Sequence, residues 1–200
     1  MIIIFDLDGT IIDSRKRVYF LFKKIVNTNL DFNSYWLLKR QKISNQQILV
    51  EYNQYSKFDI EKFNLNWMNM IESDEMLALD KMHYGVDDLI KNLSVNNDLY
   101  LCTSRQNKNK VLSQIKNFKL NYFKKILVTE QKNSKIDLLR TYLPKNYDKG
   151  WIIGDTDYDI KVGKKLNFFT CAVLNGFHNE EVLQNSNPDR IIDSVNLFEL

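Results

Sequence analysis

From Gly85 onward, short apolar runs alternate with longer amphipathic stretches. The runs predict strands at residues 99–102, 126–128, 151–153, 169–173 and 190–192, and the amphipathic stretches predict helices at 86–93, 107–117, 134–143 and 158–166. Parallel strands need a long crossover connection, which is usually a helix. The alternation therefore predicts an α/β fold with a doubly wound parallel sheet, which the apolar run at residues 2–5 joins as a further strand.

The region between Thr10 and Tyr84 differs, because it contains none of the six glycines and two prolines of the chain. Turn-forming residues are scarce there, which favours helices over a β structure with many turns. Apolar residues with helical spacing form three groups: Val18, Leu21, Phe22 and Ile25; Ile48, Tyr52 and Tyr55; and Ile60, Phe63, Trp67, Met70 and Ile71. We predict a helical insertion at residues 14–83, within an α/β core formed by residues 1–13 and 84–200.

Composition and charge narrow the class of protein. With 44% apolar residues, a chain of 200 residues can bury a substantial core. A formal net charge of +3, with acidic and basic residues mixed, argues against nucleic acid as a partner. No apolar run suits a membrane span and no basic region suits a secretory signal, so we expect a cytoplasmic protein without a membrane partner. Cys102 and Cys171, in apolar runs, are expected to be reduced and buried rather than disulfide-bonded.

Two carboxylates leave the end of the first predicted strand in the segment DLDGT. Asp6 and Asp8 follow the run at residues 2–5, and ligands of open α/β sheets bind at the carboxyl ends of the strands. Gly9 permits a sharp turn, and Thr10 can hydrogen-bond locally to hold it. One aspartate could attack phosphorus while the other handles a proton. Calcium loops and ordinary turns also contain such a segment.

Polar groups follow two further predicted strands. Thr103 and Ser104 come after the strand at 99–102, where a hydroxyl and free N–H groups can hold phosphate oxygens; such residues are also common N-caps. Lys135 stands in the first turn of a predicted helix, where the macrodipole disfavours a cation. An anion held at the site would explain Lys135, and a solvated lysine is the alternative.

A third acidic segment follows the strand at residues 151–153. Asp155, Asp157 and Asp159 lie directly behind Gly154. Clustered acids repel one another unless a cation neutralises them, and magnesium binds through one or two carboxylates plus substrate phosphate. Helix capping by Asp157 or Asp159 is the alternative interpretation.

These segments, taken in order, resemble the motifs of the haloacid dehalogenase (HAD) superfamily in its phosphatase branch. Asp6–Thr10 is similar to the first motif, Thr103 to the second, Lys135 to the third and Gly154–Asp159 to the fourth. The helical insertion resembles the cap of that family, and the resemblance covers essentially the whole chain. It implies an enzyme, a magnesium-dependent phosphatase that hydrolyses a small phosphomonoester of the phosphoglycolate, sugar phosphate or nucleotide class.

The resemblance also implies a role for each matching residue. Asp6 would form an aspartyl-phosphate, and Asp8 would protonate the leaving oxygen and then activate water, so its neighbouring carboxylates should raise its pKa. Magnesium would be bound by Asp6, Asp155 and the Asp8 backbone carbonyl, with Asp159 supporting the site directly or through Lys135. The candidate substrate-binding residues are Gly9, Thr10, Thr103, Ser104 and Arg105, while Lys135 is catalytic.

Other polar residues of the sequence have no assigned role. Isolated His83 and His178 are not expected to be catalytic, and the basic group Arg15, Lys16 and Arg17 indicates either a solvated helix face or a clamp for substrate. The alternative interpretations are a phosphomutase of the same fold and a non-catalytic binding protein on this fold. A phosphonate hydrolase would need a cap lysine, for which Lys23 or Lys42 could be proposed. The partner is expected to be a small phosphate ester, and the chain a monomer or homodimer.

Overall fold

The protein's structure is a computed structural model that describes residues 1–146 and 149–200. Its strands are β1 (Ile2–Phe5), β2 (Ile12–Asp13), β3 (Lys81–Met82), β4 (Asp98–Thr103), β5 (Lys125–Val128), β6 (Trp151–Gly154), β7 (Phe169–Val173) and β8 (Arg190–Ile192). Within the described residues, six strands form one parallel sheet in the order β5-β4-β1-β6-β7-β8. The predicted fold class is confirmed, and every predicted strand is present to within one residue at each end.

Helices cover both faces of this sheet. The helices are α1 (Arg15–Ile25), α2 (Phe32–Arg40), α3 (Asn45–Asn53), α4 (Lys57–Met70), α5 (Asp74–Leu77), α6 (Val86–Ser94), α7 (Lys108–Asn117), α8 (Lys135–Tyr142), α9 (Asp157–Lys165) and α10 (Glu180–Gln184). Successive residues of β1 point to opposite faces, so Ile3 and Phe5 pack with α6 and α7, whereas Ile2 and Ile4 pack with α8 and α9. The four helices predicted after Gly85 are confirmed; α10 was not predicted.

Helices α1 to α4 share a separate apolar cluster. Phe22 and Tyr35 lie at its centre, with ring centroids 4.7 Å apart. The prediction for the middle group of apolar residues was only partly right, because Ile48 is buried whereas Tyr52 is 56% exposed. Tyr55 lies beyond α3, which ends where Gln54 adopts a left-handed φ of 53°. The domain boundaries at residues 14 and 83 stay a prediction.

The two chain segments that connect the helical insertion to the core pair with each other. Strands β2 and β3 form an antiparallel two-stranded sheet, in which Ile12 lies opposite Met82. Sequence patterns did not indicate this pairing, because each strand has only two residues. The pairing brings the beginning and the end of the insertion together a few residues after Asp8.

Local predictions outside the site agree with the structure. Asn167 has a left-handed φ of 59° just after α9, as expected of an asparagine that replaces a C-terminal glycine. Cys102 and Cys171 are free and buried, and burial raises the pKa of both thiols to about 12. Among the described residues, no helix combines the length and the apolar character that crossing a membrane requires.

Candidate active site

The predicted site residues meet at the carboxyl edge of the sheet. Asp6 directly follows β1, Thr103 ends β4, Lys135 begins α8 after β5, and Asp155 directly follows β6. These four strands are neighbours in the order β5-β4-β1-β6. The order of the strands therefore brings together side chains that lie far apart in the sequence, the most distant being Asp6 and Asp155, 149 positions apart.

A tight turn after Asp6 places Gly9 and Thr10 against Asp155. The Leu7 carbonyl accepts the N–H groups of Ile11 and Ile12, both at 3.0 Å. Gly9 has a φ of +87°, and a Cβ there would lie 2.2 Å from the Asp155 Oδ2 atom, so only glycine fits.

The predicted role of Thr10 in this turn was wrong. The Thr10 hydroxyl donates to Asp155 Oδ1 at 3.1 Å instead of bonding locally, and backbone hydrogen bonds hold the turn. The Phe177 N–H donates to the other Asp155 oxygen at 2.6 Å. These two donors fix the orientation of the Asp155 carboxylate.

Lys135 joins the first and fourth motifs. Its Nζ atom lies 2.5 Å from Asp6 Oδ1 and 2.7 Å from Asp159 Oδ1, and the side chain is buried. Burial disfavours the charged amine, but Asp159 and Asp6 outweigh it and raise the pKa of Lys135 well above its ordinary value. The unfavourable position in the first helical turn is thus explained by two carboxylates. A solvated lysine is contradicted by the burial.

Three buried carboxylates form a cluster that could hold a metal ion. One oxygen each of Asp6, Asp155 and Asp159 lies within 4.8 Å of the others. Burial raises the pKa of Asp6 to about 7 despite the opposing charge of Lys135. Burial, followed by Asp6 and Asp159, raises the pKa of Asp155 well above its ordinary value. Because Lys135 supplies one positive charge to three carboxylates, a further cation would stabilise the ionised cluster.

We expect the metal-free protein to be more stable at about pH 6.5 than at about pH 8.5. Asp6 binds its proton more tightly in the folded than in the unfolded state, so the free energy of unfolding rises as the pH falls through about 7. One such group changes this free energy by at most about 1.4 kcal/mol per pH unit. Denaturant unfolding in excess chelator measures the change, and Asp6→Asn should reduce it. A free energy of unfolding that increases with pH over this interval would contradict the expectation.

The acidic residues of the fourth motif have different partners. Asp159 forms a capping box with Thr156 through Oδ2 while its other oxygen contacts Lys135, so capping and site contact occur together. Asp157 contacts Lys42 at 2.7 Å and Lys161 at 2.5 Å. Asp157 therefore lies outside the three-carboxylate cluster.

Asp8 has surroundings that contradict one prediction. Its carboxylate pairs with the guanidinium groups of Arg105 and Arg17, with Arg105 Nη2 at 2.7 Å from Oδ1. Burial disfavours the ionised form, but the two arginines outweigh burial and hold the pKa of Asp8 well below its ordinary value. The expected rise in the pKa of Asp8 from neighbouring carboxylates is therefore wrong, because the side chain points to cations instead.

A comparison with known proteins shows the family of the chain. A profile of haloacid dehalogenase-like hydrolases matches residues 3–173. The chain belongs to this family. The expectation of a HAD-type hydrolase is thereby confirmed, and no curated protein matched the sequence.

Solved structures of similar fold cover nearly the whole hydrolase chain. A haloacid dehalogenase-like hydrolase from Streptococcus pneumoniae has a TM-score of 0.79 at 21% identity, covering 97% of this chain and 94% of its own. A protein from Haemophilus somnus, named a predicted phosphoglycolate phosphatase, has a TM-score of 0.74 at 17% identity, covering 98% of this chain and 94% of its own. A candidate HAD-hydrolase from Bacillus subtilis, bound to magnesium, has a TM-score of 0.67 at 20% identity, covering 97% of this chain and 94% of its own. At these identities, the likeness establishes the fold.

A second charged network in this hydrolase was not predicted. Asp80, at the end of the helical insertion, accepts from Arg17 Nε at 2.9 Å, Arg105 Nη2 at 3.2 Å and Gln114 Nε2 at 2.8 Å. Asp8 and Asp80 thus share the same two arginines. No motif marked Asp80, and Arg17 stood out only as one of three adjacent basic residues, because their contacts join residues 9 to 63 positions apart in the sequence.

The second-motif residues line the same edge. Thr103 is buried, and its carbonyl accepts the Thr129 N–H at 3.0 Å. Ser104 is exposed and lines a cavity of about 250 Å³ that also reaches Asp8. Phosphate binding by Thr103 and Ser104 stays a prediction.

The side chains of the remaining basic residues and of His178 have partners other than the three clustered carboxylates, or are exposed. Arg15 pairs with Asp13 at 2.6 Å, and Lys16 is exposed. Lys42 contacts Asp157, while His178 accepts the Asp157 N–H at 3.2 Å through Nδ1. Of the three adjacent basic residues Arg15, Lys16 and Arg17, it is therefore Arg17 that contacts a predicted catalytic residue, Asp8.

Proposed function

We propose that this hydrolase is a magnesium-dependent phosphatase that acts on small phosphomonoesters through an aspartyl-phosphate on Asp6. The observation that carries the proposal is the position of Asp6, within 2.5 Å of Lys135 and beside a second carboxylate, Asp8, at the edge of the sheet. The family membership and the phosphatase name of a structural relative are consistent with it.

The acidic cluster supplies the donors that magnesium prefers. Asp6 and Asp155 would hold the ion together with the Asp8 backbone carbonyl, and Asp159 would support it directly or through Lys135. The raised pKa values of Asp6 and Asp155 fit this assignment, since a divalent cation would restore their ionised forms. When bound, the ion would neutralise the negative charge that the phosphate brings. The relative from Bacillus subtilis binds magnesium.

The proposed chemistry divides between the two aspartates of the first motif. Asp6 attacks phosphorus, the ester P–O bond breaks, and Asp8 gives its proton to the leaving alkoxide. Water then attacks the phosphorus of the acyl phosphate, Asp8 accepts the proton, and Asp6 is released with inorganic phosphate. The pairing of Asp8 with Arg105 and Arg17 suits the second step, because it favours the ionised carboxylate. In the first step, the charge of the bound phosphate would offset the arginines and raise the pKa of Asp8.

The other predicted residues would hold the phosphoryl group. We assign its oxygens to the Thr103 hydroxyl, the Ser104 N–H and the Lys135 amine, which together stabilise charge on the equatorial oxygens. Gly9 permits the close approach of backbone at this point, and Thr10 acts through Asp155. Arg105 orients Asp8 and lines the cavity in which the leaving group would lie.

We expect phosphatase activity to disappear in excess chelator and to return with magnesium. Phosphate release from a panel of small phosphomonoesters measures this, with and without the ion. Calcium should inhibit, since its longer bonds and looser coordination would misplace the attacking carboxylate. Full activity in excess chelator would overturn the metal requirement, and the absence of activity on every ester of the panel would overturn the phosphatase assignment.

A further inference from the structure

The cavity beside Asp8 has a largely apolar wall. Its volume is about 250 Å³. The apolar side chains that line it are Val18, Trp67, Met68, Ile71 and Phe177. Trp67, Ile71 and Phe177 also pack against the apolar cluster of helices α1 to α4, so this wall continues the core of the insertion. It offers hydrophobic contact and an aromatic surface rather than hydrogen bonds.

The positively charged side chains that line this cavity already form ion pairs with carboxylates of the protein. Arg17 and Arg105 are both paired with Asp8 and Asp80. The Arg105 Nη1 atom has no hydrogen-bond partner in the described part of the chain, but it is buried and shielded from the solvent in the cavity. Among the described residues, no lysine or histidine lines the cavity. A carboxylate or a second phosphate on the substrate would therefore find no accessible cation that is not already paired with a carboxylate, and its desolvation would be uncompensated.

The lining also includes a negative charge and polar groups engaged with the protein. Glu72 is buried, and its carboxylate accepts the N–H groups of Gln106 at 2.7 Å and Asn107 at 3.0 Å. The Gln131 side chain donates to the Ser104 carbonyl at 3.0 Å. The carboxylate of Glu72 would repel an anionic leaving group, and these contacts leave few polar groups free to bind one.

We propose that the enzyme selects phosphomonoesters whose alcohol is uncharged and apolar, up to about the size of a single ring, and discriminates against esters that carry a carboxylate. This inference rests on the proposed phosphatase function and specifies its substrate class. Thr103, Ser104 and Lys135 hold the phosphoryl group, while the wall containing Trp67 and Phe177 binds the alcohol. Phosphoglycolate, whose alcohol bears a carboxylate, is accordingly a poor substrate.

A matched pair of esters tests the charge preference. Phosphoglycolate and phosphoglycolamide differ in the carboxylate and the carboxamide but have nearly the same size and reactivity. With magnesium present, kcat/KM should be about tenfold or more higher for the amide, which corresponds to about 1.4 kcal/mol of discrimination. Benzyl phosphate should be a better substrate than either, because its ring reaches the apolar wall. Equal or higher kcat/KM for phosphoglycolate would overturn the inference and leave the phosphatase function standing.

Two variants test the residues that carry the preference. Trp67→Ala should raise KM for benzyl phosphate severalfold with a smaller effect on phosphoglycolamide, whereas Phe58→Ala, on the same helix but 72% exposed, should change neither. Glu72→Gln should narrow the gap between phosphoglycolamide and phosphoglycolate. An unchanged KM in Trp67→Ala or an unchanged gap in Glu72→Gln, in folded protein, would contradict the assignment.

The Asp6→Asn variant separates the two proposals. It retains the cavity but lacks the nucleophile, so calorimetric binding of both esters can be measured without turnover. Tighter binding of phosphoglycolamide supports the inference, and tighter binding of phosphoglycolate overturns it. Absence of turnover by the wild-type enzyme on every ester would overturn the phosphatase function, and with it the substrate class.

Discussion

Asp6→Asn is expected to lower kcat on any accepted phosphomonoester by roughly 10⁴-fold or more, because the amide cannot act as the attacking carboxylate. The fold should be retained, since asparagine is nearly the same size and removes a buried carboxylate whose pKa is raised to about 7. Steady-state phosphate release, together with thermal unfolding of the same preparation, measures both effects.

Asp88→Asn is the matched control for this substitution. Asp88 is exposed in the first turn of α6, away from the site, so its replacement should leave kcat unchanged. A folded Asp6→Asn enzyme that keeps more than a few per cent of wild-type kcat would refute the assignment of Asp6 as nucleophile. A fluoride complex of beryllium or aluminium bound to Asp6 in a crystal would support it.

Lys135→Met is expected to cause the largest loss of stability among the site variants. Removing the amine leaves Asp6 and Asp159 without the partner that they share at 2.5 and 2.7 Å. Breaking a buried ion pair in this way costs about 3–5 kcal/mol of unfolding free energy, although protonation of a carboxylate reduces the loss. Denaturant unfolding in chelator measures it, and phosphatase activity should be lost as well.

The control for this variant is Lys132→Met, in the same loop between β5 and α8. Lys132 is exposed, so its replacement should change the free energy of unfolding by no more than about 0.5 kcal/mol. If Lys135→Met proved as stable as Lys132→Met at about pH 8, the buried ion pair would contribute nothing measurable. Activity close to that of the wild type would rule out a catalytic role for Lys135.

The cluster of Asp6, Asp155 and Lys135 could be predicted because parallel strands place their carboxyl ends along one edge. Each of these residues lies just after a strand or at the start of the next helix, and both kinds of element have clear periodic signals in the sequence. The turn after Asp6 was also recognisable from the sequence, because glycine is the residue that most readily adopts the positive φ of Gly9. Local sequence therefore indicated which strand ends carry the candidate site residues.

The directions of individual side chains were not predictable in this way. Asp8 leaves the same turn as Asp6 but contacts Arg105 and Arg17, and the Thr10 hydroxyl reaches Asp155. These contacts join residues 9 to 145 positions apart, and no local pattern encodes them.

Periodicity, turn residues and motif order were sufficient for the sheet, its crossover helices, the helical insertion and the strand ends that hold the acids. The packing of α1 against the core determined the rest. It places Arg17 between Asp8 and Asp80, where Arg17 adds to the larger effect of Arg105 in lowering the pKa of Asp8, beside a cavity with an apolar wall. Local sequence encodes backbone conformation, whereas charge pairing depends on which side chains meet when the insertion and the core come together.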